Sequence, residues 1–280
     1  MTEKGDERTR RSVLVFSGLD PSGGAGMAAD VEAIGVAGAH ALPIVTALTV
    51  QDNDRVYQVC PVDAGILLRQ ADVLLRKIPI SAVKVGIVGN RVNADAIGEI
   101  LLRLRQRHPD LPVVLDTVLG SGHGFSLADG SPEEALSPLI PLATLVTPNL
   151  PEAARLAPHA ETVEEQAAHL LSLGAKEVLI KGGHSDDPDV VVNRWFRAGK
   201  QRQWQWSRMN GEFHGTGCTL AAGVAGYLAR GCVMEEALLK GQQLCRDAIS
   251  NAFSIAKGQK IPDRHVGRSE AETAREKPRF

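Results

Sequence analysis

Residues 13–35, VLVFSGLDPSGGAGMAADVEAIG, decide the predicted fold class. The stretch opens on a short apolar run, Val13–Phe16, which ends in a glycine-rich turn. Such a run is typical of a buried parallel strand that meets a loop at its carboxyl end. A helix is predicted directly afterwards, from about Gly26 to Gly38, because apolar residues then recur at helical spacing. A buried strand, a glycine-rich loop and a helix in this order indicate an α/β unit.

The same alternation continues along the chain. Strands are predicted at residues 40–48, 56–59, 82–85, 113–115, 145–147 and 177–180. Helices are predicted at 61–76, 93–107 and 163–173, from 217 onward, and at 234–255, with a hairpin at 190–197 and 203–208. We therefore expect an α/β fold, with a mostly parallel central sheet and helices on both faces. The polar stretch 1–11 and the charged stretch 259–280 are expected to be flexible tails around a single domain at 12–258.

Composition limits the classes of function. The 280-residue chain is 44% hydrophobic and 23% charged, values typical of globular proteins. A formal net charge of −2 argues against a nucleic-acid-binding protein, which needs a strong basic excess. The four cysteines lack CxxC spacing, so neither a zinc site nor a disulfide framework is predicted. Since no apolar run reaches the roughly 18 residues of a membrane span, we expect a protein of the reducing cytoplasm with no membrane partner.

The loops that follow the predicted strands are the candidate site. In an open parallel sheet, ligands bind beyond the carboxyl ends of the strands. The polar or glycine-rich segments there are SGLDPSGGAG, TVQDND, VGIVGN, DTVLGSGHG, TPNLPE and KGGH.

The segment His214-Gly-Thr-Gly-Cys-Thr219 opens a strongly apolar helix. Unpaired backbone N–H groups at a helix start carry partial positive charge, and glycines let a phosphate approach them closely. A tight turn before a packing helix, with Cys218 as a small buried residue, explains the segment equally well. A thiol at a helix start is expected to have a lowered pKa, which makes Cys218 a candidate proton acceptor. Cys60, Cys232 and Cys245 have no such setting, and we interpret them as packing residues.

Six motifs occur together and in order: SGLDPSGGAGMAAD, TALTVQ, VLDTV, TPNLPE, KGGH and HGTGC. This ordered set resembles the hydroxymethylpyrimidine/phosphomethylpyrimidine kinases of thiamine biosynthesis, which have a ribokinase-like fold. The resemblance spans roughly residues 12–255. It implies a kinase that uses ATP and Mg²⁺ to phosphorylate 4-amino-5-hydroxymethyl-2-methylpyrimidine and then its monophosphate, giving the diphosphate. It also implies a homodimer.

The resemblance assigns roles in phosphoryl transfer. In the wider superfamily a Gly-x-Gly-Asp segment supplies the catalytic base, and the pyrimidine kinases have Cys where Asp stands. Cys218 would therefore take or orient the hydroxymethyl proton, while Gly215, Thr216 and Gly217 form the anion hole.

A metal and nucleotide site is also implied. Asn149 and Glu152 resemble the superfamily's Asn-x-x-Glu motif, in which the carboxylate helps to hold Mg²⁺, and Asn149 lies on the ATP side. The same spacing is that of a helix capping box. Asp116 either adds charge near the metal or bonds structurally to loop amides. Lys181 would lie near the ATP phosphates, and the alternative is a surface lysine before a turn.

The pyrimidine pocket is expected to be built from the first half of the chain. A glutamine amide matches the adjacent donor and acceptor of an aminopyrimidine, which makes Gln51 the candidate for recognition. An exposed polar residue of a loop is the alternative. The resemblance implies further substrate contacts from Gly18, Ala25 and Asp30, and apolar walls from Ile87 and Val118. Ile87 departs from the methionine often found at its position in the family.

Other functions remain open at this stage. A pyridoxal kinase of the same superfamily has a similar flat hydroxymethyl substrate, although Cys218 and Gln51 disfavour it. A non-catalytic pyrimidine-binding protein on the same fold is a second alternative, and a dinucleotide-dependent oxidoreductase is a third. Trp204 and Trp206 share a face of the predicted hairpin and are expected to pack at an edge or a dimer interface. The loop 120–124 is expected to close over the site, and His40, His123, His184 and His214 receive no chemical role.

Overall fold

The computed structural model describes residues 9–120 and 131–265. Among these residues the strands are Ser12–Leu19 (β1), His40–Gln51 (β2), Val56–Pro61 (β3), Ile80–Val85 (β4), Val113–Leu115 (β5), Leu145–Val146 (β6), Glu177–Ile180 (β7), Val190–Arg197 (β8) and Lys200–Ser207 (β9). The helices are Gly26–Val36 (α1), Ala64–Leu75 (α2), Arg91–Arg107 (α3), Pro132–Leu136 (α4), Leu150–Leu156 (α5), Val163–Ser172 (α6), Thr216–Ala229 (α7) and Met234–Ser250 (α8), with a 3₁₀ turn at Ile140–Leu142.

These strands form one sheet in the order β3-β2-β1-β4-β5-β6-β7-β8-β9. The six central strands, β2, β1, β4, β5, β6 and β7, pair in parallel, whereas β3 at one edge and β8–β9 at the other pair antiparallel. The chain places β2 on one side of β1 and β4 on the other, which creates a topological switch point between β1 and β4. The predicted α/β class with a mostly parallel sheet is confirmed.

Strand alternation divides the core into two layers. Leu14 and Phe16 of β1 are fully buried on one face of the sheet, in a cluster that includes residues of α2 to α6. Val13 and Val15 point to the opposite face, where they pack with α1, α7 and α8. Both faces of the central strands are therefore covered, which explains why the sequences of these strands are continuous apolar runs.

Helix α7 is apolar on all sides because it is enclosed on all sides. It packs against the sheet, α1 and α8 within one cluster. Its contact with the end of α1 is so close that a Cβ at Gly226 would lie 2.7 Å from the Cβ of Ala37. The small residues of this helix therefore allow it to sit deep in the fold, with its first turn at the carboxyl edge of the sheet.

The tryptophans of the β8–β9 hairpin pack within their own chain. The rings of Trp195 and Trp204 stack with centroids 6.2 Å apart. Trp206 donates from Nε1 to Gln242 Oε1 of α8 at 2.9 Å. The predicted packing role is confirmed. Because these tryptophans have partners within the chain, they do not by themselves indicate a dimer interface.

Several boundaries differ from the sequence prediction. The last helix ends at Ser250 rather than near residue 255, and β2 continues to Gln51. The domain boundary predicted at residue 258 is wrong, because described residues beyond it pack on the domain. Ile261 is 5% exposed and Arg264 is 2% exposed. None of the helices in the two described segments is long and apolar enough to cross a bilayer.

Candidate active site

A cavity of about 420 Å³ lies beyond the carboxyl ends of the parallel strands, the size of a small-molecule site. The loops that follow β1, β2, β4, β5, β6 and β7 contribute to it, together with the first turn of α7. The predicted site residues that line it are Gly18, Ala25, Gln51, Ile87, Asp116, Val118, Asn149, Glu152, Lys181, Gly215, Thr216, Gly217 and Cys218. Side chains from both halves of the chain therefore meet in one space.

The first turn of α7 forms one wall of this cavity. Gly215 precedes the helix with φ 80°, a left-handed conformation that favours glycine. A Cβ at this position would also overlap the carbonyl oxygen of Gly24, so the close approach of the two loops requires glycine here. The first backbone N–H groups of a helix have no partner within it, which gives this wall the character of an anion hole.

Cys218 lies in this first turn and lines the cavity, although only 8% of the residue is exposed. Burial raises the pKa of its thiol to about 12, against the opposing effects of the Lys84 ammonium and the Gly26 amide. The lowered pKa expected for a cysteine at a helix start is therefore wrong, because desolvation outweighs the helix dipole. At neutral pH the sulfur is therefore a neutral thiol, on a residue that lines the cavity.

A buried charged cluster stands beside that turn. Lys181 Nζ lies 2.9 Å from Asp116 Oδ1, which also accepts a hydrogen bond from Thr147 Oγ1 at 3.1 Å. A Cβ at Gly217 would lie 3.2 Å from Lys181 Nζ and 3.7 Å from Asp116 Oδ2. Burial alone would raise the pKa of Asp116, but Lys181 and Lys84 outweigh it and hold that pKa below its usual value. The Lys181 ammonium and the Asp116 carboxylate are thus both charged beside the first turn of α7.

Glu152 forms hydrogen bonds that cap a helix, and it also lines the cavity. Its backbone N–H donates to Asn149 Oδ1 at 2.8 Å, and its Oε2 accepts from the Asn149 backbone N–H at 2.8 Å. The capping box that the spacing allowed is therefore present at the start of α5. Burial raises the pKa of Glu152 to about 7, with Asp116 acting in the same direction and Lys181 opposing it.

The donor set suits a magnesium ion shared with phosphates. Among the described residues no group of three or more His, Cys, Asp or Glu side chains is arranged to hold a metal. Asp116 Oδ2 is buried and has no hydrogen-bond partner within the described part of the chain. Mg²⁺ commonly takes one or two protein carboxylates and completes its shell with water and substrate phosphates. One orphaned carboxylate oxygen with a second carboxyl group nearby fits that requirement.

Asp30 is the one predicted binding residue that the structure places elsewhere. Its carboxylate is fully buried and lies 2.8 Å from Nζ of Lys84, which is also fully buried. Asp30 does not line the cavity, so the predicted direct substrate contact is corrected to an ion pair beneath the site. The adjacent carboxylate raises the pKa of Lys84, although burial alone would lower it.

Sequence reasoning missed several residues of the cavity wall. Asp20 accepts hydrogen bonds from the Ser22 and Ala25 backbone N–H groups at 2.8 Å each. Its Oδ2 also lies 2.8 Å from Nε2 of His214. The Asp-Pro-Ser-Gly sequence is a turn signal that could have located this carboxylate. Further missed cavity residues are Asp54, Arg55, Arg155, His184 and Gln259. Residues 121–124 of the predicted closing loop, His123 included, lie outside the described residues.

Comparison with known proteins agrees with this geometry. The profile of the family described as phosphomethylpyrimidine kinase matches residues 20–263. The chain is 35% identical over 262 residues to the hydroxymethylpyrimidine/phosphomethylpyrimidine kinase of Escherichia coli K12, covering 91% of this chain and 97% of that protein. It is 35% identical over 254 residues to the thiamine biosynthesis bifunctional protein ThiED of Geobacter sulfurreducens, covering 89% of this chain and 51% of that protein.

The fold has matching solved structures. The pyridoxal kinase of Staphylococcus aureus, solved in complex with AMP-PCP and pyridoxal, is 27% identical with a TM-score of 0.81. That likeness covers 93% of this chain and 95% of the pyridoxal kinase. The predicted ribokinase-like fold is confirmed. Because the family profile and a full-length relative agree over most of the sequence, the chain belongs to the phosphomethylpyrimidine kinase family of phosphotransferases.

Proposed function

We propose that this chain transfers the γ-phosphoryl group of ATP to the hydroxymethyl oxygen of 4-amino-5-hydroxymethyl-2-methylpyrimidine, and then a second group to the resulting monophosphate. The observation that carries this proposal is the shared cavity: Gln51, Cys218 and the first turn of α7 all line it. A flat polar ring, an acceptor alcohol and a terminal phosphate each have a matching wall. In this scheme Gly18, Ala25, Ile87 and Val118 surround the ring.

The transfer step places charge where the chain holds donors. The acceptor oxygen forms a bond to the γ-phosphorus while the bond from that phosphorus to the bridging oxygen of ADP breaks. Negative charge on the transferring oxygens is met by the backbone amides of residues 215–218 and by the ammonium of Lys181. Asn149 stands on the nucleotide side of the same wall. These groups are fixed before substrate arrives, which is the main source of such stabilisation.

Cys218 orients the acceptor alcohol in this proposal and does not remove its proton. Since burial raises the pKa of Cys218 to about 12, its sulfur carries a proton at neutral pH. A loose transition state for phosphoryl transfer needs little base assistance, and the proton leaves late, toward a phosphate oxygen. A neutral thiol also leaves room for the second acceptor, a phosphate monoester, which a fixed carboxylate would repel.

Asp116 and Glu152 would hold Mg²⁺ in this scheme. When bound, the ion neutralises charge on the nucleotide phosphates. Before the ion binds, the Lys181 ammonium keeps Asp116 ionised. The Asp116 oxygen that has no hydrogen-bond partner in the described chain can then accept a ligand.

Pyridoxal is a second candidate acceptor, favoured by the 0.81 TM-score with the pyridoxal kinase complex. Pyridoxal is also a flat ring with a hydroxymethyl group. It lacks the aminopyrimidine edge that Gln51 can pair with through two complementary hydrogen bonds, so the pyrimidine is expected to be the better substrate.

A coupled assay of ADP release tests the proposal, with hydroxymethylpyrimidine, its monophosphate and pyridoxal compared at equal concentration. We expect kcat/KM for both pyrimidines to exceed that for pyridoxal by at least about tenfold. ADP release that none of the three acceptors stimulates would refute a kinase of this specificity and favour the non-catalytic binding protein. A higher kcat/KM for pyridoxal would transfer the assignment to the second candidate.

Two further features stay predictions. A homodimer is implied by the resemblance. A reducing cytoplasm is consistent with four cysteines that are all free thiols.

A further inference from the structure

We propose that Arg264 is a positioning residue for phosphoryl transfer. Its guanidinium joins the loop between β1 and α1, which lies on the acceptor side of the cavity, to the first turn of α7. This inference rests on the proposed function. It concerns a segment that the sequence pattern had suggested to be a mobile tail.

The guanidinium of Arg264 bonds to three different elements. Nε donates to Thr219 Oγ1 of α7 at 2.8 Å. Nη1 donates to Glu32 Oε2 of α1 at 3.0 Å, and Nη2 donates to the carbonyl oxygen of Gly24. The side chain of Arg264 is 0% exposed, whereas that of Glu32 is 36% exposed. The cation is therefore held in the interior chiefly by two fixed acceptors, Thr219 and Gly24, which adjoin residues that line the cavity.

Each of those acceptors leads directly to the site. Thr219 Oγ1 in turn donates to the carbonyl oxygen of Gly215 at 2.8 Å, which connects Arg264 to the residue that precedes α7. Gly24 precedes Ala25, which lines the cavity, and its carbonyl oxygen packs against Gly215. Arg264 thus fixes the spacing between the loop that faces the acceptor and the amides that face the phosphate. A misplacement of about 1 Å between reacting groups can cost about 100-fold in rate.

The segment 257–264, the C-terminal strap, is itself anchored, so it can serve as a fixed support. Asn53, which is 5% exposed, donates from Nδ2 to the carbonyl oxygens of Lys257 at 3.1 Å and Gln259 at 3.0 Å. The backbone of Lys260 donates to Glu212 O at 2.9 Å and accepts from His214 N at 2.9 Å. The strap therefore reaches Arg264 after contacts with two other loops of the cavity.

The test compares Arg264→Gln with Arg230→Gln. Arg230 is a matched control because its Nη1 donates to Ala37 O at 3.2 Å, joining the same helices, α7 and α1, at their ends away from the cavity. We expect Arg264→Gln to lower kcat for pyrimidine phosphorylation about 100-fold. The Kd for AMP-PCP should change less than about threefold, because the amides themselves remain. Arg230→Gln should keep kcat within about twofold of the wild type.

A folded Arg264→Gln variant with kcat within about threefold of the wild type would overturn the positioning role. If that variant does not fold, Thr219→Val and Thr219→Ser decide: the valine variant should lose turnover and the serine variant should recover most of it. Equal turnover in these two variants would also overturn the role.

Backbone amide hydrogen exchange separates this inference from the proposed function. We expect residues 20–26 and 215–218 to exchange at least about tenfold faster in Arg264→Gln than in Arg230→Gln. That result can be read even if the wild type phosphorylates no pyrimidine, in which case the proposed function alone fails. Unchanged exchange in both segments would refute the strap as their support.

Discussion

At the scale of single residues, the environment of Cys218 decides what its sulfur can do. The residue sits at a helix start, which favours a thiolate, yet burial wins and raises the pKa of the thiol to about 12. Because the pKa is raised, the neutral form is present at all pH values well below it, and thiolate appears only in strongly alkaline solution. The chemistry of this position is therefore orientation by a neutral group.

Alkylation reports that protonation state directly. Labelling of Cys218 by iodoacetamide should stay slow from about pH 7 to about pH 9, because so little thiolate is present. The half-buried Cys60 and Cys232 serve as internal references in peptide mapping by mass spectrometry. A Cys218 that labels before both references, at a rate that levels off near neutral pH, would show an activated thiolate and contradict this view.

Substitution separates orientation from proton removal. Cys218→Ala should lower kcat about 100-fold, since the acceptor alcohol loses its partner. Cys218→Ser should retain much more turnover than the alanine variant, because a hydroxyl can also orient an alcohol although it is a far poorer base. Wild-type turnover in the alanine variant would remove the role assigned to this residue.

At the scale of elements, the start of α5 combines a helix cap with a site carboxylate. Asn149→Ala should lower the free energy of unfolding by about 1 kcal/mol, the usual value of a lost N-cap, measured by urea denaturation. It should also lower kcat, because the capping box holds Glu152 in the cavity wall. Thr162→Ala is the matched control: α6 begins with the same kind of capping box, built from Thr162 and Glu165, and neither residue lines the cavity.

The two variants should therefore lose similar stability and differ in activity. If Asn149→Ala keeps full turnover while it loses stability, Glu152 has only a structural role and the metal assignment loses its second carboxylate. An equal loss of turnover in Thr162→Ala would mean that the assay reports stability alone.

The helices and strands could be predicted from local sequence patterns, whereas contacts between residues far apart along the chain could not. The short apolar runs and the loops after them were readable because strand and helix periods are local. The Asp30–Lys84 pair joins residues 54 positions apart, and the bond from Arg264 to Gly24 spans 240. No local period encodes such contacts. The burial that sets the pKa of Cys218 likewise depends on how α7 packs as a whole.

At the scale of the whole molecule, the predicted homodimer needs a surface, and the tryptophan hairpin is already packed within the chain. Large apolar side chains are instead exposed on β2 and β3: Leu48 is 50% exposed, Val50 51% and Tyr57 59%. Light scattering should give twice the chain mass of 29.9 kDa. The double variant Leu48→Lys/Val50→Lys should give the mass of one chain. A wild-type chain that stays monomeric would refute the dimer.

The central claim is that one cavity holds the terminal phosphate at the first turn of α7 and the acceptor alcohol at the Cys218 sulfur. A crystal structure with AMP-PCP and hydroxymethylpyrimidine measures this directly. We expect the terminal phosphate within hydrogen-bond distance of the backbone amides of residues 215–218, with the ring paired to Gln51 and its hydroxymethyl oxygen next to Cys218 Sγ. A ring bound away from Gln51, or a phosphate that does not contact those amides, would contradict the account.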